Sequence, residues 1–201
     1  MSRNDICDFL IHFTKGVDLA DACETLSKIV HEGTLQGNGR SIRGGYPCIC
    51  FSEAPLASIQ NGLINPDCYS KYSPFGIMIK KEWLFQHGGR PVIYEPDIEF
   101  QALPDSHKWR HVRYEPPMID FSWEREWRIK CDSLQFDMES ASIVAPNQFW
   151  ANHLIQLHDD DQECEVIQYG QILGDTLAQL CCDPFKWNII TLESASCGSS
   201  S

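Results

Sequence analysis

The chain has 201 residues, 43% of them hydrophobic and 11% aromatic, and its six Trp and ten Phe supply enough large apolar side chains to bury a core. Its net charge is −12, and residues 131–201, with Lys186 alone against eleven acids, contribute −10 of it. That balance excludes nucleic-acid binding over the whole surface, and with no apolar run near the roughly 20 residues that span a bilayer, a transmembrane helix is not expected.

Residues 9–14 form a short apolar run of strand formers closed by Lys15-Gly16. Leu19, Ala22, Leu26, Ile29 and Val30 then recur at helical spacing, with Asp18 placed as N-cap and Gly33 as C-cap. Five glycines between Gly33 and Gly45, together with Asn38 and Ser41, predict a mobile loop that carries Arg40 and Arg43. Residues 48–53 read as a strand, 56–63 as a short helix, 75–80 as a strand and 81–85 as a helical turn. A turn at 88–91 leads to a strand at 92–94, and the polar, proline-bearing stretch 96–120 reads as a long surface excursion. Strand character resumes at 127–131 and 142–145. Helices are expected at 149–157 and 172–182, with strands at 165–169 and 187–192. Strands outnumber helices without strict alternation, which predicts an α+β fold in one domain over residues 1–193 with a disordered tail at 194–201.

Ten cysteines contain no CxxC pair, so neither paired zinc pattern can be built and no metal site is expected. They read as free thiols in a reducing compartment. No apolar signal region follows Met1, and a cytoplasmic location is expected. The P-loop, the GxSxG elbow and the HExxH helix are all missing.

Four features can carry chemistry, each with a structural alternative. His12, on an apolar strand, is either a satisfied core histidine or a hydrogen-bonding group at the strand edge that holds a polar ligand such as a ribose. Glu124 and Glu126, two apart where a loop enters a strand, fall about 7 Å apart on one face. They form either a desolvated acid–base pair or, with Arg125 and Arg128, a surface charge ladder. Ser52-Glu53 at a strand end can orient a ligand or cap the helix after Pro55. Arg90, between Gly89 and Pro91, can grip phosphate or stay solvated in the turn. A local basic groove of Lys80, Lys81, Arg90, Lys108, Arg110 and Arg113 also remains open.

The segments HFTKG at 12–16, GGYPCICFSEAPL at 44–56, YSPFGIMIKKEWLFQHGGRPVIY at 72–94 and DFSWEREWRI at 120–129 resemble the AbiGi-type abortive phage resistance family, over about residues 8–132. Their order resembles DarT-type DNA ADP-ribosyltransferases, in which a strand histidine is followed by a segment like Leu26–Leu35. This resemblance implies a split β-sheet that holds NAD in a cleft. It implies that His12 bonds the nicotinamide-side ribose with Thr14 beside it, that Arg43 or Arg90 meets the pyrophosphate, and that Ser52 orients the ligand. Tyr69, Tyr72 and Tyr94 are the tyrosines available to flank the nicotinamide. Glu126 would offset positive charge on the ribosyl group as nicotinamide leaves, and Glu124 would orient the acceptor or take its proton.

Three functions follow as expectations: an NAD-dependent ADP-ribosyltransferase-like enzyme of antiphage defence acting on a nucleic acid or a protein, a non-enzymatic antitoxin that binds a basic toxin through its acidic C-terminal third, or a metal-independent RNase built on His12 and Glu126. Whether His12 and Glu126 line one pocket separates the first from the second.

Overall fold

The computed structural model describes residues 7–53, 73–174, 177, 180 and 183–193. Within them the fold is mixed α+β, with a large, mostly antiparallel sheet and few helices. In chain order the strands are β1 (Phe9–Phe13), β2 (Thr34–Gln36), β3 (Cys48–Ser52), β4 (Gly76–Lys80), β5 (Arg90–Pro91), β6 (Ile93–Glu95), β7 (His111–Arg113), β8 (Glu126–Lys130), β9 (Ser133–Gln135), β10 (Ala141–Ala145) and β11 (Ile189–Thr191). The helices are α1 (Leu19–Glu32), α2 (Lys81–Gln86) and α3 (Gln148–Leu173). None is long and apolar enough to cross a membrane.

Seven strands form the main sheet in the order β11-β10-β4-β1-β3-β8-β5, with only the β10–β11 pair parallel. β1 pairs with β4 over five positions and β3 with β8 over five. Between β1 and β3, among the described residues, a single register pair holds, Ile11↔Ser52. The sheet is therefore two well-laddered halves joined at a narrow seam.

The alternation of side chains along each strand assigns the two faces. Leu10, Ile49, Phe51, Ile77, Ile79, Ile129 and Ile143 join a core with Ala22, Cys23, Leu26 and Val30 of α1 and Ala151 and Leu154 of α3. On the opposite face Ile11, Phe13, Met78, Val144 and Leu192 form a second apolar cluster in the β1 half only. In the β3 half that face is polar: Cys48, Cys50 and Ser52 alternate on β3, as do Glu126 and Arg128 on β8.

Caps behave as read. The Asp18 carboxylate accepts from the Asp21 N–H at 2.9 Å, and Gly33 ends α1 in the left-handed region at φ 57°. Asn147 caps α3 in the same way, accepting from Trp150 N–H at 3.1 Å.

Several expectations need correction. The glycine-rich 33–45 stretch is not loop throughout: residues 34–36 form β2, paired with β9, and Asn38 bridges Cys48. The strand expected at 92–94 is two short strands, β5 in the main sheet and β6 paired with β7. The strand expected at 165–169 is helix: α3 runs through it, since the ladder begun at Asn147 continues past Val166, Ile167 and Tyr169 at little cost per β-branched or aromatic residue. The predicted helix at 56–63 lies outside the described residues, as do Tyr69, Tyr72 and the 194–201 tail. The six described cysteines, Cys7, Cys23, Cys48, Cys50, Cys131 and Cys164, are free thiols.

Candidate functional site

A cavity of about 390 Å³ opens on the polar face of the β3 half, beside the seam. Its floor is Cys48, Cys50 and Ser52 of β3 with Glu126 and Arg128 of β8. Ile11, His12 and Phe13 of β1 form one wall. The glycine-rich segment (Asn38, Ser41, Arg43) and the 97–124 excursion (Asp97, His111, Arg113, Phe121, Glu124) close the other sides. His12, Arg43, Ser52, Glu124 and Glu126, five of the residues singled out in the sequence, thus line one space.

His12 sits in the seam itself. Its Nδ1 lies 2.8 Å from the Cys50 carbonyl oxygen. A carbonyl only accepts, so Nδ1 carries the proton, and neutral imidazole leaves Nε2 as an acceptor. Among the described residues no protein group bonds Nε2. Burial lowers the His12 pKa, the Cys50 hydrogen bond opposes this in part, and Lys15 lowers it further. The ring also packs edge-on to Phe51 at 5.7 Å. Gly76, opposite His12's neighbour Phe13, is required here: a Cβ on it would lie 2.5 Å from the His12 carbonyl oxygen.

Glu126 is held by Arg128. Arg128 Nε donates to Glu126 Oε1 at 2.7 Å, and Nη2 donates to Oε2 at 3.2 Å. Arg128 is only 6% exposed, and its Nη1 donates to the Trp109 carbonyl at 3.1 Å and the His111 carbonyl at 2.8 Å. The surface charge ladder is thus corrected to a buried two-point ion pair, because the period of two puts residues 126 and 128 together on a covered face. Cys50 lies against the same carboxylate, and burial followed by the Glu126 charge pushes its thiol well above the usual range. A thiol so held is no nucleophile at neutral pH.

Glu124 reaches the cavity by a different route from the one expected. It ends a 3-10 helix (Ser122–Glu124), and Arg125 follows at φ 45°, in the left-handed region. The strand geometry assumed for the pair does not hold, yet the turn brings both carboxylates to the cavity. Ser52 fixes that turn, since its hydroxyl donates to the Glu124 carbonyl at 2.9 Å. Ser52 therefore both lines the cavity and braces it. Glu53 faces elsewhere, accepting from Lys81 Nζ at 2.8 Å and Trp127 Nε1 at 2.7 Å.

Three expected ligand-binding residues lie outside the cavity. Thr14 is buried and structural: its hydroxyl lies 3.1 Å from Ser73 Oγ and donates to the Phe75 carbonyl at 3.2 Å. Arg90 sits in the turn before β5 and donates to the Phe85 and Gly89 carbonyls. Tyr94 stands behind the glutamates, accepting from the Glu126 N–H at 3.0 Å and donating to the Phe121 carbonyl at 3.3 Å. Burial pushes its phenol up to about 12, so it stays a donor. Arg43 does line the cavity but is already engaged, in an ion pair with Asp97 and 4.4 Å above the Phe100 ring.

Two lining residues were not expected at the site. Arg128 was legible as a period-two neighbour of Glu126. His111 had no signal, since it lies in a stretch without periodicity. It is 2% exposed, and burial lowers its pKa while the Pro96 and Glu95 backbone groups oppose this in part. Among the described residues no group of three His, Cys, Asp or Glu side chains is arranged to hold a metal ion.

No family model, curated protein or solved structure matches this chain. Its residues alone carry the functional argument. The cavity has the size of a small-molecule site, a neutral histidine acceptor on one wall, and two carboxylates elsewhere in its lining. Of the cations in its lining, Arg43 pairs with Asp97, Arg128 with Glu126 and Arg113 with Glu115 just beyond it, so the lining is close to neutral in a strongly acidic protein. That combination suits a ligand with hydroxyl groups.

Proposed function

We propose that this cavity holds NAD and that the chain is an ADP-ribosyltransferase-like protein of bacterial antiphage defence, related to the AbiGi-type family and built on a split sheet of the ADP-ribosyltransferase kind. The observation that carries the reading is that His12 and Glu126, 114 residues apart in sequence, line one cavity at a seam between two halves of a sheet.

In this reading His12 Nε2 accepts a hydrogen bond from a ribose hydroxyl, a role its neutral tautomer suits. The bond between the ribose C1′ and the nicotinamide nitrogen breaks, and its electron pair leaves with nicotinamide. Positive charge then grows on C1′ and its ring oxygen. Glu126, preoriented by Arg128, offsets that charge. Arg128 occupies one lone-pair direction on each oxygen, and a carboxylate has further ones. Glu124 takes the proton of the attacking group on a nucleic-acid or protein acceptor. Calorimetry with NAD tests the reading directly. Binding by the wild type that is lost in His12→Ala and in Glu126→Ala supports it. Folded wild-type protein that takes up no heat with NAD removes it.

A second reading rests on α3. Asp159, Asp160, Asp161 and Glu163 are exposed on one stretch of that helix, and such a surface suits an antitoxin that neutralises a basic partner. Under this reading the His12 and Glu126 variants keep full protective activity in cells.

A further inference from the structure

Arg90 and Arg110 differ from the other basic side chains around them. Lys81 pairs with Glu53, Lys108 with Asp105 and Arg113 with Glu115. Neither Arg90 nor Arg110 has a carboxylate partner among the described residues, although the chain carries 28 acids. Neither lines the cavity.

Both are anchored on β5, the last strand of the main sheet. Val92 N–H donates to the Glu126 carbonyl on the β8 side, so the carbonyls of Gly89 and Pro91, one register step away, face the open edge. Pro91 has no N–H to offer a further strand. Arg90 Nη1 donates to the Gly89 carbonyl at 2.6 Å and the Phe85 carbonyl at 2.8 Å, and Arg110 Nε donates to the Pro91 carbonyl at 2.8 Å. Gly89 and Pro91 flank Arg90 in the chain, so the backbone anchors both guanidiniums on one short stretch, close enough for the Arg90 charge to act on Arg110. Arg90 is further fixed 4.0 Å over the Phe85 ring. A guanidinium has five N–H groups, and these bonds use only Nη1 of one and Nε of the other.

Capping a free sheet edge explains one arginine contact per carbonyl. It does not explain why two cations stand together with no carboxylate between them. Two positive charges in a fixed fork match a dianion, and a phosphate monoester carries close to two negative charges at neutral pH, whereas an internal phosphodiester carries one.

We infer that Arg90 and Arg110 form an anion seat on the β5 edge, outside the cavity, that takes the dianionic phosphate of a phosphate monoester. Burial, and then the Arg90 charge, lowers the Arg110 pKa, a repulsion that a bound anion relieves. The seat is tied to the cavity wall, because the carbonyls on either side of Arg110, those of Trp109 and His111, hold Arg128. It does not depend on the NAD reading: NAD carries no phosphate monoester, so the two sites are titrated separately.

The test is calorimetry at low ionic strength with inorganic phosphate and with glycerol 3-phosphate. Both bind the wild type, and Arg90→Ala and Arg110→Ala each weaken binding about tenfold. Lys28→Ala, which removes an exposed charge on α1, behaves as wild type. Arg90→Lys and Arg110→Lys keep the charge without the fork and fall between, which guards against misfolded alanine variants. Equal affinity for the two probes assigns the seat to the phosphate group alone, and tighter glycerol 3-phosphate adds contacts to the organic part. No binding by the wild type overturns the inference. So does equal weakening in Lys28→Ala, or tighter binding of an oligonucleotide without terminal phosphate, which would make a nucleic-acid backbone the occupant.

Discussion

The two halves of the main sheet solve different problems with the same strand geometry. In the β10-β4-β1 half both faces are covered: β4 buries Gly76, Ile77, Met78 and Ile79 in succession, and β10 buries Ile143, Val144 and Ala145. Continuous apolar runs mark strands covered on both sides. In the β3-β8-β5 half only the helix-side face is apolar. The other face carries Cys48, Cys50, Ser52, Glu126 and Arg128 and is covered by polar loops around a cavity. The first half is held by packing, the second by a polar network, and the candidate chemistry sits where the two meet.

The sharpest way to break this comparison is to remove one anchor from each half. Phe75→Ala deletes a fully buried ring packed edge-on against Trp150 at 5.4 Å, and should cost about 3–5 kcal/mol in urea unfolding while NAD affinity of the folded protein stays unchanged. Arg128→Ala strands the Glu126 carboxylate and two carbonyls, and should also cost about 3–5 kcal/mol, but with NAD binding lost. A loss under about 1 kcal/mol for Arg128→Ala, the range of an exposed pair, would mean that the polar half does not rest on that ion pair.

Thr14→Val gives a smaller effect and sharpens the line between structural and ligand-facing residues. It removes the buried hydroxyl bonded to Phe75 and set against Ser73, and should cost about 1–3 kcal/mol without changing NAD affinity. A selective loss of NAD binding would return Thr14 to the site.

The smallest expected effect is on pH dependence. His12 and His111 both have lowered pKa values in the fold. The unfolded chain takes up protons near pH 6.5, and the folded protein resists until a lower pH. Their contribution to stability is therefore full above about pH 6.5 and falls as pH drops from there through the folded values. Urea midpoints should decrease between pH 7.5 and 5, and His111→Phe should flatten that decrease. An unchanged slope in the variant would show that His111 is not among the groups that resist protonation.

Much of the fold was legible. Asp18, the 3.6-residue period from Leu19 to Val30 and Gly33 bounded α1, and apolar or alternating runs marked β1, β3, β4, β8 and β10. These signals are local, set by caps and by the period of each element. Segment 165–169 misled for the same reason: its β-branched and aromatic content favours a strand locally, and only its place inside a continuing helix overrules that. β2, β7 and β9, at three residues each, are too short for any period and exist because a partner strand is present.

By itself the sequence determined the mixed α+β class, the caps of α1, the position of most strands and a short set of chemistry-bearing residues. The tertiary structure decided which of those residues meet. It brought His12, Arg43, Ser52, Glu124 and Glu126 together, moved Thr14 into the core and left Arg90 on the outer edge. It also joined Glu126 to Arg128 under cover and added His111 from a segment without pattern. The physical reason is that a strand's period states which residues share a face, while register, the seam between β1 and β3 and the loops that cover one face are set by partners distant in the chain.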